Sequence, residues 1–396
     1  MAALVALVAL AYVAFALVRS LPETTIVAAM RIRSVAGRGP LLAWPSRGES
    51  AVGVVGVGLV GAHGSDRPTP IASLAKVMTA YVVLHDHPLH ADGGGPEITI
   101  TPADVAVYRA DEAAGQSVVA VRAGERLSER QALEGLLLPS GNNIATLLAG
   151  WDAGSPSAFV SRMNAQARTL GLVHTHYVDA SGVRPGTVST AAEQVRLAMR
   201  AVAVGAFRQT VAMAHATLPV AGRQDNLDTL LGRDGIVGIK TGTTSQAGGC
   251  FVFAALAPLR GRSITVVGAV LDQRPTASQA SAIAAAFGAT TALLASTRSV
   301  VVRRQVIRRG ATLALVKAPW SGQVALVAAE SASFVGWRGL PVHAGLVTSA
   351  HLSAPVSTGQ AAGAATVASG EQRATVALVA SRAVPGASLP WRLAHP

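Results

Sequence analysis

The longest apolar stretch of the chain lies at its N-terminus. Residues 2–18, AALVALVALAYVAFALV, contain no charged side chain. Such a run suits the core of a signal peptide or a short membrane anchor, although a buried helix can have the same composition. No basic residue precedes the run and Arg19 follows it, which is the reverse of the usual charge pattern for export. We expect a signal peptide or membrane anchor at 1–18 and a spacer over 19–40.

Two segments carry patterns that imitate ligand sites. Residues 51–61, AVGVVGVGLVG, predict a strand in which Gly56, Gly58 and Gly61 spell a dinucleotide fingerprint. That fingerprint requires a helix directly afterwards, whereas the turn-forming sequence AHGSDRPTP follows. Residues 85–90, HDHPLH, suggest a metal site, but proline and glycine make this a loop and no carboxylate pattern completes the site. We therefore expect neither a nucleotide nor a metal here.

Helical periodicity dominates the first half of the chain after these strands. Apolar positions recur at the spacing of a buried helical face, and each helix begins or ends at a recognisable signal. The predicted helices are 73–85, two helices within 128–151 broken at Pro139, a helix from the Ser155–Pro156 cap, and 189–202 with a Thr190–Glu193 capping box.

The pattern then changes to strands. The segment GIVGIKTGTTSQAGGCFVFAALA predicts strand, turn and strand, and after the RGR turn residues 263–271 predict a third strand. Short turns between consecutive strands indicate an antiparallel meander. A helix is expected over 277–296, and beyond residue 297 short valine-rich runs predict a small all-β domain. The fold class is thus α/β (α+β): an antiparallel sheet with helices on its faces over 41–296, and a β-rich domain over 297–396.

The amino-acid composition excludes some kinds of site but does not indicate a function. Half of the 396 residues are hydrophobic and the formal net charge is +12, but the excess of arginine has the character of a compositional bias and no nucleic-acid-binding module accompanies it. Cys250 is the single cysteine, which excludes an intramolecular disulfide and a cysteine zinc site. Among 33 Lys and Arg residues only Lys76, Lys240 and Lys317 are lysines.

Lysine has a chemical use at position 76 that arginine lacks. Ser73 and Lys76 are three residues apart at the start of a helix, so the ammonium can reach the hydroxyl. The helix N-terminus supplies free N–H groups that suit a serine nucleophile. A guanidinium does not release its proton, whereas a lysine whose pKa is lowered by burial and a neighbouring cation can act as a base.

Two further short motifs support this chemistry. Lys240 lies in IKTGT on the first strand of the meander, and Ser140, Gly141 and Asn142 form SGN in the break between two helices. A break of this kind can present a hydroxyl and an amide to a cleft. Each motif alone is weak evidence, and the three together are a strong signal.

The motifs SLAK, SGN and KTGT, in this order and spacing, resemble those of the penicillin-recognising serine enzymes. The chain is most similar to the low-molecular-mass D-alanyl-D-alanine carboxypeptidases, the penicillin-binding proteins of peptidase family S11. PIASLAKVMTAYVVL resembles the region of that family's nucleophile, and DASGVRPGTVSTAAE (179–193) its segment before a capped helix. The resemblance covers about residues 50–295, and the β-rich tail also fits the family.

The resemblance implies a role for each motif residue. Ser73 would attack the carbonyl between two terminal D-alanines, Lys76 would take its proton, and Ser140 would relay a proton to the leaving D-alanine. Asn142 would contact the substrate amide and Lys76. The remaining implied substrate-binding residues are Lys240, Thr241, Gly242 and Thr243, with the N–H groups of Ser73 and Thr243 as the oxyanion hole and Arg274 as a further candidate for the substrate carboxylate.

One departure leaves the precise activity open. Many members have histidine after KTG, and this chain has Thr243. A β-lactamase or an esterase on the same scaffold, or a non-catalytic cell-wall-binding protein, are the alternatives. Class A β-lactamases need a loop glutamate, and no Glu-x-x-Leu-Asn occurs between Ser140 and Lys240.

The resemblance also implies the surroundings of the enzyme. Its partners would be peptidoglycan stem peptides, with β-lactam antibiotics as inhibitors, and no nucleic acid. No metal or organic cofactor is needed. A peptidoglycan substrate requires an extracytoplasmic catalytic domain, either anchored through the N-terminal apolar segment or secreted after its cleavage.

Overall fold

The computed structural model describes residues 1–28, 39–64, 66–90, 93–274, 279–347 and 354–395. The chain divides into two compact units. The larger unit comprises Gly39–Val302, and the smaller unit comprises Met1–Arg38 with Arg303–Pro396.

The α-helices and strands of the described residues follow in chain order. The helices are α1 (Ala2–Val18), α2 (Ala75–Asp86), α3 (Pro102–Ala113), α4 (Glu129–Leu137), α5 (Asn142–Ala153), α6 (Pro156–Thr169), α7 (Ala191–Ala201), α8 (Gly205–Val211), α9 (Gln279–Val300) and α10 (Leu389–Ala394). The strands are β1 (Thr25–Ala28), β2 (Glu49–Val54), β3 (Gly58–His63), β4 (Thr69–Pro70), β5 (Glu97–Thr99), β6 (Arg126–Ser128), β7 (Val188–Ser189), β8 (His215–Leu218), β9 (Gly222–Asp225), β10 (Ile236–Thr244), β11 (Gly248–Leu259), β12 (Arg262–Gln273), β13 (Val302–Ile307), β14 (Thr312–Ala318), β15 (Gly322–Ala328), β16 (Ala332–Gly336), β17 (His343–Val347), β18 (Ala361–Ser369) and β19 (Gln372–Ala380).

A five-stranded antiparallel sheet organises the larger unit, in the order β10-β11-β12-β2-β3. The predicted meander is confirmed. Its second turn consists of Arg260 and Gly261, whose φ angles of 44° and 78° give the two-residue loop that matches strand twist. The sheet therefore joins an early hairpin to three late strands and leaves β10 at one edge.

Residues 51–61 form a hairpin, so the prediction of a single strand was wrong. Strand β2 ends at Val54 and β3 begins at Gly58. Gly56 and Gly58 have φ angles of 75° and 127° and turn the chain between the strands. Of the three glycines that imitate a nucleotide fingerprint, Gly56 thus lies in the turn, and Gly58 and Gly61 lie in β3.

Helices cover the sheet as the apolar pattern predicts. Helix α9 packs on β11 and β12, and α7 packs on β12 and β2. A Cβ built on Gly249 would lie 2.0 Å from the Ala282 carbonyl oxygen, so only glycine allows α9 to approach β11 this closely. The predicted helix over 277–296 runs to Val300, and its expected start at 277–278 lies outside the described residues. Within the described chain α9 alone has the length and composition of a membrane span, but its sheet contacts are those of a core helix.

Helices α4 and α7 of the larger unit begin with local capping interactions. Helix α4 begins with a Ser128–Gln131 capping box, and the chain breaks between Leu137 and Asn142 as predicted. The predicted Thr190–Glu193 capping box forms only in part. Thr190 accepts the Glu193 N–H, while the Glu193 carboxylate accepts hydrogen bonds from the chain at 174–175 instead.

The smaller unit has its own sheet and apolar core. Six strands lie in the order β1-β14-β15-β19-β18-β17 around a cluster of buried side chains that includes Leu326, Phe334 and Leu378. Part of the segment expected as a spacer over 19–40 is the strand β1, which pairs with β14. Residues 29–38 of that segment lie outside the described residues.

Candidate active site

Ser73 lies on a short 3₁₀ turn, Ala72–Leu74, directly before α2. The preceding Ala72 has a φ of 48°, an unfavourable angle for a residue with a Cβ, and such strain costs about 1–3 kcal/mol. A Cβ built on Gly182 would lie 1.8 Å from the Ala72 carbonyl oxygen, so a glycine is required beside this strained turn. The predicted helix from Ser73 is thus an α-helix from Ala75 with the serine on a tight lead-in.

Lys76 is fully buried and its amino group has three partners. Its Nζ lies 2.8 Å from Ser73 Oγ, 2.6 Å from Asn142 Oδ1 and 3.1 Å from the Ser181 carbonyl oxygen. The predicted reach of one turn from lysine to serine is therefore present, and the lysine also joins three separate segments of the chain.

The partners of Lys76 suit its neutral form. The Asn142 and Ser181 oxygens can only accept, whereas the Ser73 hydroxyl can accept or donate. A neutral amine has two N–H groups and one lone pair. It can therefore donate to both carbonyl-type oxygens and accept the Ser73 proton, which is the arrangement a general base needs.

The surroundings also favour that neutral form. Burial lowers the pKa of Lys76 well below the usual lysine value, and the nearby charge of Lys240 lowers it further. Asp179 and Asp111 act in the opposite direction, more weakly than burial. Burial and the charge of Lys240 therefore both favour the neutral amine that a general base requires.

Asn142 is held in one orientation by a residue that the sequence did not reveal. Its Nδ2 donates to Gln116 Oε1 at 2.7 Å while its Oδ1 accepts from Lys76. Its own N–H donates to the Ser117 carbonyl. Gln116 lies in a loop without periodicity or a recognised motif, so no sequence signal pointed to it.

Ser140 occupies the break between α4 and α5 in an unusual conformation. Its φ is 68°, in the left-handed region. Its buried Oγ has no hydrogen-bond partner within the described part of the chain. A hydroxyl with unused hydrogen-bonding capacity is thus held by a strained backbone at the edge of the site.

The strand β10 carries the third motif. Lys240 is buried, and burial lowers its pKa to about 7 against an opposing effect of Asp228. A Cβ built on Gly242 would lie 3.0 Å from the Ser73 backbone nitrogen, so this glycine lets β10 pass directly beside the nucleophile. The Thr243 Oγ1 is buried and has no partner among the described residues.

These three motifs meet at one cavity of about 450 Å³. Its polar lining includes Ser73, Ser140 and Thr243, and its apolar lining includes Ile283 and Phe287 of α9. The lining residues are Ser73, Ser117, Ser140, Leu227, Thr229, Thr241, Gly242, Thr243, Ala280, Ile283, Ala284 and Phe287. Residues predicted from separate parts of the sequence are therefore neighbours.

Neither Arg274 nor the HDHPLH segment, from which no metal site was expected, is among the residues that line this cavity. Arg274, directly after β12, donates through Nη1 to the Ser245 carbonyl of the β10–β11 turn at 3.0 Å and pairs with Asp272. In the HDHPLH segment, His87 contacts Asp152 at 3.0 Å. Across the described ranges no three His, Cys, Asp or Glu side chains group as a metal site requires.

The comparison with known families identifies the fold and its chemistry. A family model described as D-alanyl-D-alanine carboxypeptidase, Peptidase_S11, matches residues 59–273, just over half of the chain. The chain belongs to this family. As a member of the S11 family it is a serine-type hydrolase of the penicillin-binding protein class, as the three motifs indicated.

Individual S11 relatives agree with this assignment. The chain is 33% identical over 224 residues to a D-alanyl-D-alanine carboxypeptidase of Streptomyces sp. (strain K15), covering 52% of this chain and 74% of that protein. It is 38% identical over 193 residues to the carboxypeptidase DacB2 of Mycobacterium tuberculosis, covering 47% and 62%. A D-alanyl-D-alanine endopeptidase of Pseudomonas aeruginosa is 34% identical over 194 residues, covering 47% and 59%.

Solved structures show the same S11 architecture. The Streptomyces K15 DD-transpeptidase matches with a TM-score of 0.53 and 27% identity, covering 65% of this chain and all of that one. Penicillin binding protein 5 of Haemophilus influenzae matches with a TM-score of 0.60 over 89% of this chain and 100% of that one. At 20% identity the second match shows the fold alone.

Proposed function

We propose that this protein is a serine D-alanyl-D-alanine carboxypeptidase that removes the terminal D-alanine from peptidoglycan pentapeptide stems. The contact set of Lys76 carries the proposal, because it pairs a buried amine with the Ser73 hydroxyl in the arrangement of a base and a nucleophile. The similar D-alanyl-D-alanine carboxypeptidases and endopeptidase support a peptide that ends in D-alanyl-D-alanine as the substrate class.

The proposed reaction is an acyl transfer in two halves. Lys76 takes the Ser73 proton as Oγ attacks the carbonyl between the two D-alanines. The C–N bond breaks, and the proton passes from Lys76 through Ser140 to the leaving amine. Water then attacks the ester and returns the proton to Ser73 by the same route, giving a free carboxylate.

The remaining motif residues bind rather than react in this proposal. The N–H groups of Ser73 and Thr243 stabilise the oxyanion, and the close passage of Gly242 beside Ser73 supports that pairing. Asn142 contacts the substrate amide. Lys240, Thr241 and Thr243 hold the terminal carboxylate, and the unused hydroxyl of Thr243 is available for it.

We also propose the corresponding division of the chain and its location. Residues 41–296 would be the catalytic domain, 297–396 the β-rich domain and 1–18 the membrane-contacting segment, with 19–40 between. A polymeric cell-wall substrate places the catalytic domain outside the cytoplasmic membrane. β-Lactams, as analogues of the same peptide, would acylate Ser73.

The intact mass of the full chain after incubation with benzylpenicillin tests the proposal. We expect a lasting adduct in the wild type and none in Ser73→Ala or Lys76→Met, while Lys317→Met retains it as a matched lysine control on the exposed side of β14. Release of D-alanine from a pentapeptide should follow the same order.

Three other results would contradict it. Absence of an adduct with the drug consumed would indicate a β-lactamase, and absence of an adduct with the drug unchanged would indicate a non-catalytic wall-binding protein. An adduct without D-alanine release would indicate that the same site catalyses a different acyl transfer, such as that of an esterase.

A further inference from the structure

The smaller unit contains an apolar pocket of about 150 Å³. Its walls include Phe334 and Trp337, which are 6% and 4% exposed, together with Val306 and Leu340. An apolar cavity of this volume accommodates about one benzene ring. The pocket therefore has the size and the lining to hold one aromatic side chain of a ligand.

Side-chain hydrogen bonds hold the pocket in this form. Gln372 donates through Nε2 to the Val335 carbonyl and accepts the Val335 N–H through Oε1, both at 2.8 Å. Arg304 Nη1 donates to the Trp337 carbonyl at 3.2 Å. Strand β16 and the residue that follows it are thus fixed from two directions. A pocket that is already formed costs a ligand less ordering than a flexible one.

Strand β13 borders this pocket and has an unpaired edge. Within the described chain it pairs only with β16, and its residues Arg304, Gln305 and Val306 line the pocket. Arg303, Arg304 and Gln305 are all exposed, although successive side chains of a strand point to opposite faces. This part of β13 is therefore open on both faces and along one edge. The N–H and C=O groups of such an edge can pair with an added strand.

The charge around β13 determines which strand could be added. Arg303, Arg304, Arg308 and Arg309 lie in the strand or directly after it, and none of them forms an ion pair with a carboxylate of the described residues. Residues 303–396 contain nine Lys and Arg against two Glu. The four arginines repel a second copy of the same edge and attract an acidic segment.

We propose that β13 and this pocket form a docking site for an acidic, extended segment of a partner protein, which adds to β13 as a strand and places one aromatic side chain in the pocket. In this mode of recognition the main chain supplies affinity and the pocket selects the side chain. The arginines of β13 select the charge. Since no residue of the three catalytic motifs takes part, the site does not rest on the proposed function.

Binding of short peptides to the full chain tests the site. The probes are fluorescein-labelled octapeptides of glutamate with Phe, Tyr, Trp or Leu at one central position, and fluorescence anisotropy gives their affinities. We expect at least one of the aromatic peptides to bind, and replacement of its central residue by alanine to weaken binding at least tenfold. Lysine in place of glutamate should abolish it.

Two peptide results would overturn the site. Absence of binding by all four probes would exclude an acidic partner segment. Equal binding by the alanine peptide would show attraction to the arginines alone, without use of the pocket. Both results are obtained with the native chain, so they do not depend on the folding of a variant.

Matched variants locate the binding on the protein. Val306→Phe fills the pocket and should weaken binding at least tenfold, and Arg304→Ala should weaken it severalfold and reduce its dependence on salt. Arg382→Ala, an exposed change beyond the opposite end of β19 from Gln372, should leave the affinity unaltered. Wild-type affinity in both Val306→Phe and Arg304→Ala contradicts the proposal. Penicillin acylation of the same samples reports the proposed function separately.

Hydrogen exchange tests the added strand. The bound peptide should slow exchange within 303–307 at least fivefold, because the outward N–H groups of β13 gain acceptors. Peptides N-methylated on alternate residues, in each of the two registers, should differ, with one of them losing both binding and protection. Binding without protection at 303–307 refutes the strand pairing. Protection that rises with protein concentration in the absence of peptide would instead indicate a second copy of the chain and would also refute the proposal.

Discussion

At the scale of single residues, the site depends on which atoms can only accept a hydrogen bond. Lys76 is surrounded by two such oxygens and one hydroxyl, so its neutral form fits without an unsatisfied atom. The sequence could reveal this lysine because arginine fills almost every other basic position. It could not reveal Gln116, whose role depends on a loop brought to Asn142 by the tertiary fold.

Gln116 is a positioning residue whose effect should appear in the pH profile. Gln116→Ala frees the Asn142 amide to rotate, so we expect penicillin acylation to slow about tenfold with little change in thermal stability. Gln116→Glu keeps the acceptor but adds negative charge near Lys76, which raises the lysine pKa and moves the acid limb of the rate profile to higher pH. Stopped-flow acylation against pH checks both, and an unmoved limb in Gln116→Glu would contradict this role.

The charge of Lys240 should also affect the pH at which the acylation rate rises. The acylation rate rises with pH as Lys76 loses its proton, and the charge of Lys240 lowers the pKa at which this happens. Lys240→Gln removes that charge, so the limb should move upwards by up to about one pH unit besides the loss of rate. Lys317→Gln is the control, and a downward shift in Lys240→Gln would disprove the coupling.

At the scale of elements, close backbone approaches position the motifs. The α4–α5 break and the strand meander were predictable because proline, glycine and the apolar period mark them locally. The hairpin at 51–61 was missed because a continuous apolar run hides a turn when its glycines also suit a strand. The strained φ angles of Ala72 and Ser140 were beyond prediction, since nonlocal packing imposes them.

Gly242 gives the sharpest test of this packing. Gly242→Ala places a methyl group about 3.0 Å from the Ser73 nitrogen, so β10 must shift away from the nucleophile. We expect acylation to fall by about 10- to 100-fold. Gly150→Ala in α5 meets nothing within 4 Å and should stabilise the protein by about 1 kcal/mol with normal activity. Measured acylation of Gly242→Ala at the wild-type rate would show that the strand can adjust.

At the scale of the whole molecule, buried charge away from the site shapes stability. Glu129 is fully buried, both of its carboxylate oxygens lack hydrogen-bond partners in the described ranges, and burial raises its pKa to about 7. The folded protein therefore keeps this proton between about pH 4.3 and 7 while the unfolded chain has lost it. Stability falls as pH rises through that window, by at most about 1.4 kcal/mol per unit.

Glu129→Gln should remove that part of the pH dependence. The variant keeps the shape of the side chain without an ionisable proton, so its free energy of unfolding should decline less than that of the wild type from pH 4.3 to 7. Urea unfolding at several pH values measures this. Glu97→Gln, an exposed change on β5, serves as the control, and parallel curves for wild type and Glu129→Gln would refute the assignment.

Because lysine is scarce, the sites at which a lysine-specific protease cuts can show which part of the chain has unfolded locally. A lysine-specific protease has three targets: Lys76 and Lys240 are buried in the larger unit, and Lys317 lies within a strand of the smaller one. Cleavage at Lys317 alone would report opening of the smaller unit, and cleavage at the other two would report opening of the larger unit. A single digestion series could thus assign each unfolding event to its unit by fragment mass, with no label attached.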